Sequence, residues 1–179
     1  MKPNIIHIGL VVGLNYKNPY ISPYEEFQRM KLHPQIGKYL KGGQCLSYGA
    51  RALNSQGYFS IPNLVFPGGL LVGCSAGFMN VMKIKGSHNA IKSGIEAGRA
   101  IYEKLTSPTE DPNEHPRRTD KYQTAMKSSW VFSELRQTRN FKNSFKNLYT
   151  GLAYSGVFKF LQGKEPINLR NNVKDSERI

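Results

Sequence analysis

The stretch PGGLLVGCSAGFMN, residues 67–80, decides the fold of this 179-residue chain. Its apolar segment from Leu70 to Val72 predicts a short strand that runs directly into Gly73 and a glycine-rich turn. A helix is predicted to follow over SHNAIKSGIEAGRAIYEKL, residues 87–105. Glycines let the backbone approach a ligand, and the first N–H groups of a helix lack intrahelical acceptors. The unit is therefore either a site for a phosphate or an electron-rich carbonyl oxygen, or an ordinary strand-to-helix turn.

The predicted helix carries one apolar stripe at three- and four-residue spacings, and its small residues would let it lie close to a sheet. The stripe consists of Ala90, Ile91, Gly94, Ile95, Gly98, Ile101 and Leu105. His88, near the helix start, either hydrogen-bonds a ligand or caps the helix and packs. No histidine stands at a useful spacing from a nucleophile or a carboxylate, so the sequence shows no catalytic triad.

Residues upstream of this stretch predict two strands and two helices. The β-branched run at 4–14 predicts a buried strand, and QCLSYGARA at 44–52 predicts another. Ser22 stands at an N-cap position before Pro23, so a helix is predicted to begin there and to stop before Pro34. A second short helix, PQIGKYL, is expected to follow directly.

Residues downstream predict a basic helix followed by an apolar one. The segment 119–139 predicts an amphipathic helix. Its apolar side is formed by Tyr122, Met126, Trp130 and Leu135. Eight Lys or Arg residues and two acids occur within 117–146, and 148–163 is nearly uncharged and rich in Tyr, Phe and Leu. This order suits a surface helix that dips into an anionic membrane, although an internal core helix beside a solvated basic neighbour explains the same pattern.

The charge balance predicts an anionic partner. The formal net charge is +13, with 25 Lys and Arg against 12 Asp and Glu. Nucleic acid, an acidic protein face and anionic lipid all fit that charge, but no helix-turn-helix, RNA-recognition or zinc signature supports nucleic acid. No run reaches the roughly 20 apolar residues that span a bilayer. The two cysteines, Cys45 and Cys74, form no CxxC pair, so no disulfide scaffold, zinc site or iron–sulfur ligand set is predicted.

Five long strings carry a family resemblance. They are GLVVGLNYKNPYISPYEEFQRMKLHP (9–34), GGQCLSYGARALN (42–54), SIPNLVFPGGLLVGCSAGFMNVMKIKGSHNAIKSG (60–94), SSWVFSELRQTRN (128–140) and YTGLAYSGVFKFLQGKEP (149–166). Together, and in this order along nearly the whole chain, they resemble the electron-transfer flavoprotein–ubiquinone oxidoreductase family. The resemblance implies a flavoprotein enzyme that takes electrons from electron-transferring flavoprotein and passes them to ubiquinone.

The resemblance also implies the fold, the cofactors and the location. The fold class would be α+β or α/β, as part of a flavoprotein of the type with two dinucleotide-binding domains. Residues 1–66 would be a quinone-binding segment with an antiparallel sheet, 67–106 the C-terminal half of the FAD-binding domain, and 107–179 a helical membrane-facing segment. FAD and a 4Fe–4S cluster are implied, although the cluster ligands are absent from this chain. The implied partners are electron-transferring flavoprotein, ubiquinone and an anionic membrane surface on the matrix side of the mitochondrial inner membrane, without nucleic acid.

Candidate site residues follow from the same resemblance. GCSAGFMNVMKIKGSH looks like the family's second FAD motif, and its candidate residues are Gly73, Cys74, Gly77, Gly86, Ser87 and His88. The first two would face the ribityl-pyrophosphate region, and the last three would open the helix that points at the isoalloxazine ring. The quinone and membrane surface would include Phe27, Tyr48, Tyr154, Phe158 and Phe160. No proton-abstracting residue is implied, because cofactor distance, potential and quinone position set the rate.

The chain departs from the family pattern in several places. Met82 stands where the family usually has Pro, and the loss of Pro frees the loop backbone. Ser87 stands where the family usually has Thr, so the hydroxyl is kept. ALNSQG replaces the usual ALNEGG. The family's N-terminal dinucleotide-binding fingerprint and a glycine-containing quinone segment are expected upstream, and its four-cysteine module just after VKDSERI. The N-terminus MKPNIIHIGLVVGL shows no targeting pattern.

Three functions stay open at this point. The chain is a segment of a quinone-dependent oxidoreductase, a related Fix-type or geranylgeranyl-reductase-like flavoprotein, or a non-catalytic remnant that binds membranes or acidic surfaces. The strings ISPYEEFQRMKLHP and YTGLAYSGVFKF favour the first over the second. The isolated chain is expected to bind FAD weakly or not at all, because half of the cofactor's contacts lie outside it.

Overall fold

The computed structural model of the chain describes residues 4–14, 16–55, 57–106, 118–145, 147–161 and 163–170. The described residues form two compact units, one ending at Ala50 and the other beginning at Arg51. The three predicted segments, with boundaries at residues 66 and 106, stay a prediction. Most of the stretch TSPTEDPNEHPRR, residues 106–118, for which the sequence predicts a polar connection, lies outside the described residues.

Two short helices form the regular structure of the first unit. Helix α1 spans Pro23–Leu32 and helix α2 spans Pro34–Leu40. The Ser22 hydroxyl accepts a hydrogen bond from the Glu25 N–H at 3.4 Å, which caps α1 as predicted. Because a proline disfavours helical geometry in the residue before it, His33 separates the two helices. Both predicted helices are confirmed.

The predicted strands at 4–14 and 44–52 are wrong. Neither segment contains a strand, and their apolar side chains are largely exposed, for example Val11 at 90% and Leu46 at 73%. A β-strand is stabilised by hydrogen bonds to a neighbouring strand and by packing of side chains across the pair. Neither is present for these segments among the described residues, so β-branched composition alone does not produce a strand.

The second unit contains one small sheet within the residues that the structure describes. Strand β1, Val65–Phe66, pairs antiparallel with strand β2, Gly69–Leu70. Gly68 turns the chain with a φ of +85°, which favours glycine. Of the strand predicted over Leu70 to Val72, only Leu70 lies in a strand, because β2 ends there. A small sheet among helices agrees with the α+β part of the predicted fold class. Apart from this hairpin, the antiparallel sheet predicted for the quinone-binding segment has no counterpart in the described ranges.

A glycine-rich turn connects β2 with a 20-residue helix. Residues Gly73–Ala76 form a short 3-10 helix, and Gly77 ends it in a left-handed conformation with a φ of +80°. Helix α3 spans Ser87–Thr106, so the predicted helix start is confirmed. Two backbone hydrogen bonds close the intervening loop: the Asn80 N–H donates to the Lys85 carbonyl at 2.9 Å, and the Lys85 N–H donates back at 3.2 Å.

Helix α3 buries a different face from the predicted apolar stripe. Its buried residues are Asn89, Ser93, Ala97 and Ala100. Within the predicted stripe, Ile91 is 65% and Leu105 is 76% exposed. The small buried residues let the turn at Gly73 come so close that a Cβ added there would lie 3.2 Å from the Ala90 Cβ. The predicted inward orientation is wrong, because close packing against the turn requires small side chains rather than large apolar ones.

The single helix predicted over 119–139 is two helices. Helix α4 spans Asp120–Ser128 and helix α5 spans Trp130–Gln137. The chain is extended at Ser129, whose hydroxyl donates to a carbonyl in the last turn of α4 at 2.7 Å. The buried residues of the pair are Tyr122, Met126, Val131 and Leu135. Trp130 was predicted on the same side and is instead 47% exposed, because the break rotates the face of α5.

The core of the second unit lies among the hairpin, the glycine-rich turn and helices α3 to α5. Its buried apolar residues are Leu64, Val65, Ala76, Phe78, Ala97, Ala100, Tyr122, Met126, Val131 and Leu135. Phe78 and Tyr58 meet the Phe132 ring edge-on, at centroid distances of 5.9 and 6.2 Å. Burial of a large apolar side chain contributes about 1.5–3 kcal/mol. These contacts therefore fix the turn against α5.

Helices α6, Phe141–Ser144, and α7, Leu148–Leu161, complete the second unit's described helices. Arg139 fastens the segment that follows α7. Its guanidinium donates to the carbonyl oxygens of Gly163 and Glu165, both at 2.7 Å, and lies 3.4 Å from the Glu165 carboxylate. None of the helices in the described ranges has the length and apolar character that crossing a membrane requires.

Gly163 offers a test of this packing. It has a φ of +87°, and a Cβ there would lie 2.5 Å from the Gln137 Cα. We expect Gly163→Ala to lower the free energy of unfolding by about 2 kcal/mol or more, because backbone strain and the clash add. In α7, a Cβ on Gly156 would meet nothing within 4 Å. Gly156→Ala should therefore raise the free energy of unfolding by about 0.5–1 kcal/mol. Urea unfolding measures both, and equal effects would contradict this account.

Candidate functional site

Gly73 holds the glycine-rich turn against α3. Its N–H donates to the Ser93 hydroxyl at 2.9 Å, and its carbonyl accepts from the Phe78 N–H at 3.2 Å. Gly73 is buried with a φ of +58°, and an added Cβ would press on Ala90. Glycine is thus required here both by the backbone conformation and by the approach of α3.

Tyr122 of α4 connects the turn region to the rest of the core. It is fully buried, and its hydroxyl donates to the Leu71 carbonyl at 2.9 Å. Burial raises the pKa of Tyr122 to about 12, although a hydrogen bond with Ser93 acts in the opposite direction. The phenol is therefore neutral at physiological pH. Chain segments from the end of β2, from α3 and from α4 meet at this one buried polar contact.

Asn89, in the first turn of α3, joins the helix to the end of the glycine-rich turn. It is fully buried, and its side-chain amide donates to the Phe78 carbonyl at 2.8 Å. Its Oδ1 is buried without a hydrogen-bond partner in the described part of the chain. A buried acceptor without a donor costs free energy. The atom is therefore a candidate contact for a donor group of a bound molecule.

His88, in the same helical turn, lies against α5. Its Nε2 is 3.1 and 3.2 Å from the two carboxylate oxygens of Glu134. Its ring also stacks on Trp130, with 5.7 Å between centroids and 7° between planes. This arrangement corresponds to the capping and packing alternative for His88. Contact of its ring with a flavin stays a prediction.

The loop before α3 is fastened to the same carboxylate. The Asn80 side-chain amide donates to Glu134 Oε1 at 2.6 Å, and its Oδ1 accepts from the Lys83 N–H at 3.1 Å. The Lys83 Nζ lies 3.5 Å from the same Glu134 oxygen. Ile84 has a φ of +52° and is 75% exposed. A β-branched residue is strained in that conformation, so the loop depends on these contacts.

Glu134 is the charged centre of this cluster. Burial raises the pKa of its carboxyl group, but hydrogen bonds from Asn80 and His88 and the charges of Lys83 and His88 outweigh that effect. The pKa of Glu134 is therefore below its usual range. The group is ionised at neutral pH and has cationic or donor groups on several sides.

The six predicted FAD-motif residues lie in one short region, from the turn to the start of α3. Gly73 and Gly77 are buried, and Ser87 is exposed. The other three are half-buried, namely Cys74, Gly86 and His88. Sequence reasoning did not predict that Asn80, Tyr122, Trp130 and Glu134 fasten this region. His88 and Glu134 are 46 positions apart, and no local spacing signals such a pair.

The predicted quinone and membrane residues fall in both units. Phe27 is half-buried on α1, and Tyr48 is 96% exposed. In the second unit, the Tyr154 hydroxyl donates to Glu165 at 3.0 Å. Burial, together with the hydrogen bond and charge of Glu165, raises the pKa of Tyr154 to about 12. Phe158 is half-buried and packs against Tyr154 at 6.2 Å between centroids.

Helix α7 exposes an apolar face that includes Phe160, which is 84% exposed. The exposed residues of this face are Tyr149, Leu152, Ala153, Gly156, Val157 and Phe160. They recur at spacings of three and four, so they lie along one side of the helix. Tyr154 belongs to the other side, since its hydroxyl bonds the segment that follows the helix.

Metal-binding groups are scarce in this site. No group of three or more His, Cys, Asp or Glu residues that could hold a metal occurs in the described ranges. Cys45 is exposed and Cys74 is half-buried, and both are free thiols. The region therefore offers a ligand backbone N–H groups, side-chain amides and the charged cluster around Glu134, rather than a set of metal ligands.

Comparison with known proteins finds close relatives of this chain. A protein-family model described as "ETF-QO, ubiquinone-binding" matches residues 1–53. The mitochondrial electron transfer flavoprotein-ubiquinone oxidoreductases of Homo sapiens and Dictyostelium discoideum are 49% and 45% identical to this chain, over 98% of it. Over nearly its whole length, the chain is similar to one part of these oxidoreductases. The resemblance predicted from the five strings is thereby confirmed.

The match covers much less of the relatives than of the chain. The segment spans 29% of the human relative and 31% of the Dictyostelium discoideum relative. A probable mitochondrial electron transfer flavoprotein-ubiquinone oxidoreductase of Schizosaccharomyces pombe is 49% identical over 97% of this chain and 28% of its own length. The ubiquinone-binding match ends near the boundary between the two units.

The buried Tyr122 hydroxyl gives a test of the scaffold beneath the site. We expect Tyr122→Phe to lower the free energy of unfolding at pH 7 by about 1–2 kcal/mol, because the Leu71 carbonyl loses its donor. The folded pKa is about 12 and an unfolded tyrosine ionises near pH 10. The contribution of the neutral phenol is thus complete below about pH 10 and is lost as the pH rises toward 12.

Chemical unfolding of wild type and variant at neutral and alkaline pH measures this difference. The advantage of the wild type over Tyr122→Phe should stay constant up to about pH 10 and then shrink. Tyr102→Phe is the control, because that ring is 69% exposed on α3. A constant advantage of the wild type at pH 11 would show that Tyr122 is not protected from ionisation.

Proposed function

We propose that this chain forms the quinone side and one part of the FAD site of an electron transfer flavoprotein–ubiquinone oxidoreductase. In the complete protein, electrons pass from reduced electron-transferring flavoprotein, through FAD and a 4Fe–4S cluster, to ubiquinone. The observation that carries the proposal is the 49% identity to a relative of that name over 98% of the chain. The ubiquinone-binding match over residues 1–53 supports the quinone assignment.

The residues at the start of α3 fit part of an FAD. The N–H groups of Ser87 and His88 have no intrahelical acceptor, and the positive end of the helix favours the electron-rich oxygens of a flavin or its phosphates. Asn89 offers a buried acceptor that lacks a donor. Gly77 is buried, and only the Asn54 side chain lies within 4 Å of its Cβ position. Bound FAD supplies the redox chemistry, and these residues bind and orient it.

The first unit supplies the proposed quinone surface. A quinone site presents apolar and aromatic side chains with a few polar groups. In the described residues of this unit, aromatic and β-branched side chains are open, including Tyr20 at 93%, Tyr48 at 96% and Val11 at 90% exposure. Phe27 lies half-buried on α1, beside the Lys31 ammonium at 5.2 Å from its ring centre. We assign Phe27 and Tyr48 to this surface.

The 4Fe–4S cluster does not fit the residues of this chain. Such a cluster is held by four thiolates, and the sequence contains two cysteines. No step is therefore assigned to residues 1–179 through a cluster. Their proposed work is to bind FAD and ubiquinone and to keep water from the flavin.

We further propose contact with the matrix side of the mitochondrial inner membrane. The relatives are named as mitochondrial proteins. The exposed apolar face of α7 suits burial at the headgroup level, and the net charge of +13 suits an anionic surface. Electron-transferring flavoprotein is the proposed electron donor, since the relatives' name includes it.

The function is tested by placing this chain within the human relative. Residues 1–179 replace the segment to which they align. The chimera is assayed for ubiquinone reduction by reduced electron-transferring flavoprotein, and its FAD content is measured by absorbance. We expect bound FAD and turnover within about tenfold of the human protein, because binding and positioning rather than proton transfer set the rate.

Two glycine variants of the chimera separate the parts of this proposal. Gly73→Ala should lose FAD, because its Cβ would press on Ala90 and its φ is +58°. Gly94→Ala is the matched control, since no atom lies within 4 Å of a Cβ there. A folded chimera without FAD contradicts the flavin assignment. A chimera with FAD that fails to reduce ubiquinone contradicts the quinone assignment.

Membrane contact is tested on the 179-residue chain itself. We expect the double variant Leu152→Glu and Phe160→Glu to bind phosphatidylcholine–phosphatidylserine vesicles about tenfold more weakly, because two charges oppose burial of the α7 face. Tyr102→Glu is the control, since this ring is also exposed, at 69%, but lies on α3. Co-sedimentation measures binding, and an equal loss in both variants would contradict a role for α7.

A further inference from the structure

We propose that Glu134 is a positioning residue for the flavin-side loop. Its carboxylate joins the loop Asn80–Lys85 and the first turn of α3 to helix α5. The anchoring rests on the observed contacts alone, and its consequence for FAD rests on the proposed function. Neither the FAD motif nor the quinone surface includes Glu134, which acts through His88 and Asn80.

One carboxylate connects three separate pieces of chain. Glu134 belongs to α5, and it accepts from the Asn80 amide at 2.6 Å in the loop. It also lies 3.1 Å from the His88 Nε2 in the first turn of α3. The Glu134 side chain is 17% exposed, so these hydrogen bonds form where few waters can replace them. Loss of the carboxylate would therefore release the loop and the helix start together.

The loop requires such an anchor because its own conformation is unfavourable. Ile84 is held at a φ of +52° while its side chain is 75% exposed, so burial does not compensate for the strain. Asn80 is fully buried and supplies the compensation. Its backbone pairs with Lys85, its Oδ1 accepts from the Lys83 N–H, and its NH2 reaches Glu134.

The helix start is held from two directions by α5. Glu134 contacts the edge of the His88 imidazole, and Trp130 covers its face with an interplanar angle of 7°. Because His88 is in the first turn, this contact fixes the direction of the N–H groups that the proposed flavin site uses. The Lys83 ammonium, 3.5 Å from Glu134 Oε1, also offsets the negative charge of the carboxylate.

Two substitutions of Glu134 separate anchoring from packing. Glu134→Gln keeps the length and one acceptor oxygen, whereas Glu134→Leu keeps the bulk and removes every acceptor. Hydrogen exchange of the Lys83 and Lys85 amides in the 179-residue chain reports on the loop. We expect exchange to be about tenfold faster in Glu134→Gln and at least about hundredfold faster in Glu134→Leu. The Ala97 amide in the middle of α3 should be unchanged in both.

The control is Glu103→Gln, which makes the same chemical change in an exposed ion pair with Lys121, at 3.3 Å. It should leave the loop amides and the Trp130 emission unchanged, and Trp130 is the only tryptophan in the sequence. Glu134→Gln should alter that emission, because the stacked imidazole is released. Equal exchange rates in Glu134→Gln and Glu134→Leu, or rates equal to wild type, would overturn the anchor.

The flavin consequence is measured in the chimera with the human relative. Glu134→Gln should weaken FAD binding by about fivefold or more, and Glu103→Gln should not. Unchanged FAD affinity together with faster loop exchange would overturn the positioning role. A wild-type chimera that binds no FAD would instead contradict the proposed function, while the exchange rates still decide whether Glu134 anchors the loop.

Discussion

The close approach of the Gly73 turn to α3 is the constraint on which the second unit depends. The Gly73 N–H reaches the Ser93 hydroxyl at 2.9 Å, which is possible only because the helix presents small residues on that face. The buried Ser93 in turn interacts with Tyr122, whose hydroxyl bonds the Leu71 carbonyl. A turn, a helix and α4 are thereby connected through polar groups within an apolar core. A larger side chain at Gly73 or Ser93 would separate all three.

Local signals in the sequence were sufficient for the features that local interactions determine. Ser22 and Pro23 placed the start of α1, Pro34 placed its end, and the glycines before Ser87 placed the start of α3. Caps and prolines act within a few residues, so their effect is visible in the sequence. The strands predicted at 4–14 and 44–52 failed because a strand needs a partner, and β-branched residues do not reveal whether one exists.

In the candidate site, too, the sequence predicted what a continuous motif determines and not what a distant contact determines. The resemblance identified the turn and the helix start, from Gly73 to His88, because those residues form one continuous motif. It could not identify Glu134, since His88 meets it across 46 positions of sequence. The inward face of α3 was also mispredicted, because a stripe that contains Ile91 and Ile95 is more apolar than one that contains Asn89 and Ser93. The face that contains Asn89 and Ser93 is the buried one, because the turn supplies hydrogen-bond partners for both side chains.

The pairing of basic residues within the protein bears on the proposed membrane contact. Several basic residues in the segment predicted to face lipid are occupied within the protein: Arg139 bonds the chain after α7, Arg118 lies 2.8 Å from Asp120, and Lys121 lies 3.3 Å from Glu103. Each free Lys or Arg near an anionic surface contributes about 1 kcal/mol. Burial of an exposed large apolar side chain contributes about 1.5–3 kcal/mol. The apolar face of α7 around Leu152 and Phe160 is therefore a source of affinity for a bilayer beside the basic residues.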